Sequence, residues 1–486
     1  MTVGTAGEQE GRLLQVCDEI SGDQDEIEVK LQKRQGRIFT DLSIGANVAA
    51  ATQLKANKDV SQRGFELGNS GFIVTLEEVA SLGHGRVEDL GQPIRAYRNG
   101  RDLTQSPRGA MVIDLFGLSV DEVRNRYPAI YQWLLERVKP ERDQNRDPRL
   151  QREWWLHRRS REDLRKMLIG LPRFIATVET ARHRTFQFLD AVILPDNKLV
   201  NIAIDDAGVF GILSSRLHVV WALAAGSRLG VGNDPVYVKT TCFEAFPFPD
   251  ATPEQQTTIR ALAEQLDAHR KRQQAAHPDL TLTGMYNVLE KLRAGTPLTA
   301  KDKTIHAQGL VSLLRELHDN LDRAVFAAYG WGDLAERLVG LPGATTPLPD
   351  KPADQTEAEE ELLRRLVALN AERAAEESRG RIRWLRPAYQ NPGASLPEQT
   401  AADLHTPVAT AATPAAKVRK PAWPKGMREQ IAAVRDTLGN QTLTLEDLSA
   451  RFKDPAKTTP LIVEALGALE ELGKVERAND GYRMAG

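Results

Sequence analysis

The spacing of apolar and polar positions changes several times along this chain, and each change predicts a different kind of element. EIEVKLQ (26–32) alternates as a half-buried strand does. RAYRNG, GAMVIDLFG, RFIATVE, RTFQFLD and KLVNIAID are short, apolar or alternating, and bounded by Gly, Pro or Asp, so they read as strands. TLEEVASLG (75–83) and SVDEVRNRYPAIYQWLLERV (119–138) each open on a hydroxyl residue followed three positions later by Glu. That pattern predicts two helices, because the hydroxyl takes an amide that the first turn leaves orphaned. GVFGILSSRLHVVWALAAG predicts one largely buried helix, with Ser214 and Ser215 as small residues that permit close helix approach. FPFPD closes this block, since proline neither continues a helix nor donates to a sheet. DLSIGANVAAATQLKAN is rich in small residues and shows no clear period.

From residue 251 the period becomes helical. Ile259, Leu262 and Leu266 share one stripe of TPEQQTTIRALAEQLDAHRKRQQAAH, and three further amphipathic segments follow. Tight connections would pack these helices antiparallel. Residues 391–422 are rich in Ala, Pro and Thr and poor in large apolar groups, which predicts a flexible linker. Residues 423–486 predict three helices and a two-strand wing turning at Asn-Asp-Gly. The expected fold class is α+β, with boundaries at 1–60 (strand-rich lead-in), 61–250 (mixed domain of short strands and helices), 251–390 (helical region), 391–422 (linker) and 423–486 (small winged-helix-like module).

Composition sharpens this picture in three places. With 486 residues, 41% hydrophobic, the chain is long enough for more than one domain. The formal net charge is −2, so any nucleic-acid surface must come from local asymmetry rather than bulk charge. Two cysteines, Cys17 and Cys242, form neither a metal-ligand spacing nor a disulfide framework, which fits a reducing cytoplasm. The N-terminal residues lack a signal-peptide pattern. The longest apolar stretch, near Val209 to Ala225, is interrupted by Arg216 and His218 and is too short for a bilayer span, so no membrane partner is expected.

Several chemistries lack their residues. Methyl transfer from S-adenosylmethionine to adenine needs a glycine-rich turn after a strand and an Asp/Asn-Pro-Pro-Tyr/Phe loop whose aromatic stacks on a flipped base. NDPVY (233–237) has one proline only, and QNPGA (390–394) lacks the second proline and the aromatic. NSGF and GVGN stand isolated, and no phosphate-binding Walker loop occurs. Asp25 with Glu28-Val29-Lys30 meets a nuclease pattern only loosely, and such triplets arise often by chance, so a solvated strand edge is the better reading. His183, His218 and His306 are not spaced as metal ligands.

Basic clusters are present. RVKPERDQNRDPRLQREWWLHRRSREDLRK (137–166) interleaves its cations with Trp154 and Trp155 and includes Arg142, Asn145 and Arg146. Arginine pairs with phosphate or a guanine edge through its forked donors, but the interspersed acids fit a solvated, salt-bridged helical face as well. Arg95, Arg98, Asn99 and Arg101 surround a glycine turn, with Arg108 beyond, and could equally form a hairpin tip in water. Arg182, His183 and Arg184 precede a strand, and Arg173 starts another. Lys198, Arg228 and Lys239 with Tyr237 make a looser fourth group.

RNGRDLTQSPRG, VIDLFGLS, YPAIYQWLLERVKPERDQN, LPRFIATVETARHR, FLDAVILPDNKLVNIAIDD, GILSSRLHVVWALAAGSRLGVGNDPVYVKTTCFEAFPFPD and WLRPAYQNP together resemble the C-terminal part of MmeI-like, type IIL class I DNA adenine methyltransferases. The resemblance runs from about residue 10 to the end. It implies that 61–250 is a DNA target-recognition domain of a restriction–modification system, followed by the family's helical region. It also implies double-stranded DNA as partner. The 95–108 and 182–184 groups would contact bases or grooves, and 137–166 would position phosphates. Arg173 and Lys239 complete the expected DNA-binding set. The family's cofactor and catalytic motifs belong upstream of this segment. The expectation is therefore no catalytic residue and no cofactor on this chain, with S-adenosylmethionine on a methyltransferase chain acting in trans. A non-enzymatic winged-helix regulator and a non-functional remnant of a split gene are the alternatives.

Overall fold

The computed structural model describes residues 11–21, 27–36, 38, 44–83, 93–229, 234–348, 350–392, 423–424, 427–438, 443–453, 455–471, 475–478 and 481–484. It divides into two compact units, spanning 1–396 and 397–486. The expected linker lies beyond residue 392 outside the described residues, as do Asn479 and Asp480 of the expected wing turn.

In the first unit, strands β1 (Gly11–Ser21) and β2 (Ile27–Gly36) pair as a long antiparallel hairpin. Two single 3-10 turns follow, where the sequence showed no period. The chain then lays down β3 (Ser61–Arg63), β4 (Ile73–Val74), α1 (Leu76–Ser81), β5 (Ile94–Arg98), α2 (Gly100–Thr104) and β6 (Met111–Ile113). Helices α3 (Val120–Arg126), α4 (Pro128–Arg137), α5 (Lys139–Asp143), α6 (Pro148–Arg152) and α7 (Glu162–Leu168) come next. β7 (Arg173–Val178), β8 (Phe186–Asp190), β9 (Leu194–Pro195) and β10 (Leu199–Ile202) complete the strands of two four-stranded sheets. One sheet runs β3-β10-β7-β8, all antiparallel; the other runs β4-β6-β5-β9, with β5 and β9 parallel.

β7 reads as a continuous apolar run because both its faces are covered. Ile175 joins a core with Phe186, Val200 and Phe210, while Phe174, Ala176 and Val178 pack with Leu103 and Leu199 on the other side. The second sheet packs Val112 and Ile113 against Val123, Ile130 and Leu134 of α3 and α4.

The expected capping boxes form: Thr75 with Glu78, and Ser119 with Glu122. Two expected helices are broken, however. The segment 119–138 is two helices, because Pro128 starts a new one and Tyr127 before it leaves the helical region (φ −133°, ψ 59°). The apolar segment after Asp206 is likewise two helices, α8 (Ala207–Ser214) and α9 (Arg216–Ala225), bent by 64°. Ser215 takes an extended conformation at the break and its hydroxyl donates to the Ile212 carbonyl at 2.7 Å. The backbone N–H of Arg216 donates to Asp322 at 2.7 Å, so a distant carboxylate starts the second helix. Among the described residues, no single helix is long and apolar enough to cross a membrane.

A short hairpin, β11 (Ser227–Leu229) with β12 (Asp234–Val236), follows α9. Then come α10 (Pro253–Ala276), α11 (Leu282–Arg293), α12 (Ala300–Gly309), α13 (Val311–Tyr329), α14 (Gly332–Leu338), α15 (Ala353–Ser378) and α16 (Pro387–Gln390). The helical region shares its cores with the strands rather than standing apart from them. Ile259 and Leu266 of α10 pack with Leu217 and Trp221 of α9, and Ala263 packs with Phe210 of α8. At Gly211 a methyl group would sit 2.7 Å from the Ile259 side chain, so glycine permits this approach of α8 to α10.

The second unit holds α17 (Met427–Leu438), α18 (Leu445–Ala450), α19 (Pro455–Glu471) and the hairpin β13 (Val475–Ala478) with β14 (Gly481–Met484). Its core gathers Val434, Leu448, Phe452, Ile462, Leu466 and Val475.

Candidate nucleic-acid interface

The turn between β7 and β8 is held on both sides. Thr180 bridges Val236 of β12, and the Ala181 N–H points to the Pro235 carbonyl at 3.4 Å. Arg184, 3% exposed, donates to Thr177 Oγ1 (3.0 Å) and to the carbonyls of Val178, Glu179 and Pro235. Its guanidinium therefore staples the turn to the β11–β12 hairpin. Burial pushes its pKa down to about 10, which leaves it charged at neutral pH.

Next to this staple opens a cleft of about 1330 Å³. One wall is Arg182 and His183 of the turn with Arg228, Asp234 and Pro235 of the hairpin. Gln105 at the end of α2 adds to it, and the exposed Arg101 donates to Gln105 Oε1 at 2.9 Å. The other wall comes from the helical region, with Thr283, Asn287, Glu290 and Lys291 of α11 and Lys301 and Asp302 of α12. The two walls are tied at their base. Thr283 Oγ1 donates to the Thr104 carbonyl (3.0 Å), and Ser106 Oγ to that of Pro278 (2.8 Å).

The cleft lining carries a small cationic excess: Arg182, Arg228, Lys291 and Lys301 stand against Asp234, Glu290 and Asp302. Lys291 and Asp302 pair at 2.6 Å, and Glu290 is occupied by the Gly343 N–H (2.6 Å) and the Thr345 hydroxyl (3.3 Å). Arg182, Arg228 and Lys301 are exposed, and their side chains have no ion pair or hydrogen bond among the described residues. Such free cations beside amide and hydroxyl groups suit a phosphate backbone and base edges.

The residues singled out from sequence fall in several places. Arg182 and Arg101 lie in or beside the cleft. His183 lines it but is 5% exposed, with both ring nitrogens engaged. Arg142 and Arg184 do not belong to any surface. Arg142 is 1% exposed and donates to the Leu67 carbonyl at 2.8 Å, with its guanidinium against Phe72. Burial therefore removes both from the expected DNA set, and Arg184 is a staple instead. Asn99 caps α2, its Oδ1 accepting from the amides of Arg101 and Asp102. Arg108 is forked onto Asp102, and Arg98 donates to the Tyr97 carbonyl. Lys239 pairs with Glu244 at 2.6 Å, and Lys198 with Glu179 at 3.3 Å. Asn145 Oδ1 accepts from the Asp147 amide, and Arg146 beside it is exposed and unpaired among the described residues.

The β7–β8 ladder separates the set further. Thr177 pairs with Phe186 near the turn, whereas Arg173 pairs with Asp190 at the open end. Arg173 is bound there to Glu264 and stacks 3.7 Å over Phe188. Arg95 donates to the carbonyls of Ala191 and Val192, just past that same end. It lines a different hollow of about 660 Å³ with Arg126, Phe116 and Arg165, where Asp114 takes the fork of Arg165 at 2.7 and 2.8 Å. The 137–166 tract is mostly self-neutralised. Lys139 pairs with Asp143, Arg149 with Glu153, Lys166 with Glu162, and Arg158 and Arg159 both with Glu66. Its tryptophans are structural: Trp154 is 6% exposed in the core, and Trp155 Nε1 donates to the Leu118 carbonyl. Sequence reading missed Lys291 and Lys301, since it treated 251–390 as packing alone; the lysines of TAKDK at the start of α12 were the available signal.

Among the described residues, Pro235 and Tyr237 of the one-proline NDPVY segment do not form a loop that could hold a flipped adenine. Pro235 lies in β12 with its carbonyl taken by Arg184, and Tyr237, 1% exposed, is fixed in the core by a 2.9 Å hydrogen bond to His218 Nε2. That ring cannot stack on a base. Among the described residues no cluster of three His, Cys, Asp or Glu is placed to hold a metal ion.

Residues 70–250 match the family profile described as the MmeI target recognition domain. No curated protein matches the chain. Among solved structures, the fold is similar to that of the type IIL restriction–modification enzyme MmeI, solved in complex with DNA. The TM-score is 0.52 and the identity 16%, over 76% of this chain and 42% of that one. The chain thus spans less than half the length of the enzyme it resembles.

Proposed function

With residues 70–250 matching the MmeI target recognition domain, we propose that this chain is the DNA-recognition part of a site-specific, MmeI-like DNA adenine methyltransferase of a restriction–modification system. The observation that carries the reading is that match, joined to a cleft in which two of the free cations, Arg182 and Arg228, come from the matched region itself. Arg182 and Arg228 stand on a turn and a two-stranded ribbon, and a major groove about 12 Å wide admits such a ribbon. In this reading Arg182, Arg228 and Arg101 reach base edges or the adjoining backbone, and Lys301 takes a phosphate from the opposite wall. Phosphate contacts fix register, and base contacts specify.

Methyl transfer then depends on a catalytic chain in trans, which brings S-adenosylmethionine. The expected setting is the cytoplasm. The second unit, three helices followed by a hairpin, reads as winged-helix-like. Its third helix, α19, carries Lys457 against three glutamates and exposes Leu461 and Val463, so a protein-facing role suits it better than groove reading.

The test is to incubate the full chain with a random-sequence duplex pool and sequence what it retains. Enrichment of one defined site, with binding that weakens steeply as salt rises, supports the reading. Retention of no preferred sequence, or binding indifferent to salt, refutes it. Methylated adenine in that site should then appear only when a chain bearing the cofactor loop is added.

A further inference from the structure

His183 occupies a position that a DNA contact does not explain. It is 5% exposed, yet both its ring nitrogens are engaged, by two different parts of the helical region. Nε2 lies 3.0 Å from Asn287 Oδ1 on α11, and Nδ1 lies 3.0 Å from Thr345 Oγ1. Burial holds the imidazole below its ordinary pKa, so at pH 7 it carries one N–H. Nε2–H donates to Asn287 Oδ1, and Nδ1 faces the Thr345 hydroxyl, whose single proton it shares with Glu290 Oε1 at 3.3 Å. The Arg184 amide donates to the Thr345 carbonyl at 2.7 Å, and the segment bearing Thr345 is itself held by Glu290 of α11 through Gly343. On the other flank, Ala181 is anchored to Pro235. Arg182 is thus an exposed cation, unpaired among the described residues, in a turn fixed immediately before and after it.

We infer that His183, clamped between Asn287 and Thr345, is a positioning residue that presets the Arg182 side chain for the DNA in the cleft. The inference rests on the proposed recognition role of that cleft. A fixed backbone reduces the ordering cost at binding, so loosening the clamp should weaken affinity through Arg182 and through no other residue.

The test is a double-mutant cycle on the full chain with a labelled duplex bearing the site enriched from the random pool, at low salt. Arg182→Ala should weaken binding by roughly 5- to 100-fold, the range of a lost arginine contact. His183→Gln and Asn287→Ala should each weaken it by about 3- to 10-fold, and should add nothing once Arg182 is already alanine. Amide hydrogen exchange across 180–185 should quicken in both clamp variants while the thermal midpoint of Asn287→Ala stays near that of the parent. Losses that add to that of Arg182→Ala, or clamp variants at parental affinity beside a weakened Arg182→Ala, overturn the clamp and leave the cleft reading intact. Arg182→Ala at parental affinity overturns the cleft reading itself and the clamp with it.

Discussion

Asp102 accepts both forks of Arg108, Nε at 2.8 Å and Nη2 at 3.0 Å, and also the Arg108 amide at 3.1 Å, while the Asn99 amide on its Oδ2 closes the N-terminal turn of α2. Asp102 as a whole is 3% exposed. Burial alone would raise its pKa, but the Arg108 side chain and the amides of Asn99 and Arg108 outweigh that and hold it below the ordinary range. A depressed folded pKa stabilises the fold above the ordinary value near pH 4 and loses that contribution as pH falls through the folded value. Asp102→Ala is therefore expected to destabilise by about 1–3 kcal/mol at pH 7. The difference from the parent should shrink in denaturant titrations below about pH 4.

The two cleft walls make separable predictions. Lys301→Ala should weaken binding of all duplexes alike and lower the slope of log affinity against log salt by about 0.9, as loss of one phosphate contact does. Arg228→Ala should cost roughly 1–3 kcal/mol on the preferred site, much less on other sequences, and so relax specificity. Anisotropy titrations at several salt concentrations distinguish the two. An unchanged salt slope for Lys301→Ala would remove α12 from the interface.

Arg142 predicts the opposite pattern. Its guanidinium is buried on the Leu67 carbonyl, so Arg142→Ala should lower unfolding free energy by about 2–4 kcal/mol through a cavity and a stranded carbonyl. DNA affinity per folded molecule should not change, which binding measured below the melting transition will show.

Asp322 gives a test of the helical core by pH. Its carboxyl is pushed up to about 6, first by burial, with the Arg216 amide and the nearby guanidinium groups opposing. A raised folded pKa means that the stabilising protonated form is complete below about pH 4 and is lost as pH rises through about 6. Asp322→Asn keeps an acceptor for the Arg216 amide and removes that titration. The parent should therefore lose stability relative to the variant between pH 4 and 6, by on the order of 1–3 kcal/mol in paired unfolding curves.

These residues also show what could be read from the sequence and why. The capping boxes at Thr75 and Ser119 were legible because both partners lie within four residues. The break at Pro128 was legible in principle, from proline's effect on the residue before it. The break at Ser215 was not, because the acceptor that restarts the helix, Asp322, lies more than a hundred residues away. The arginines fail for the same reason. Arg142 and Arg146 stand four apart in one charged tract, and only tertiary packing sends the first inward to Leu67 and leaves the second in water. The cluster at 182–184 was correctly placed on a turn, yet it divides into three roles: Arg182 faces the cleft, His183 is held by Asn287 and Thr345, and Arg184 staples the hairpin.

The tie between Thr283 and the Thr104 carbonyl, with Ser106 on Pro278, has a practical meaning for anyone who would transplant this module. A graft cut at residue 250 would leave behind the wall bearing Lys301 and the partners of His183, and would strip the apolar cover from α8 and α9. A portable piece has to carry these helical partners with it; exchanging specificity within it calls for rewriting side chains on the turn and the ribbon, not for moving the segment.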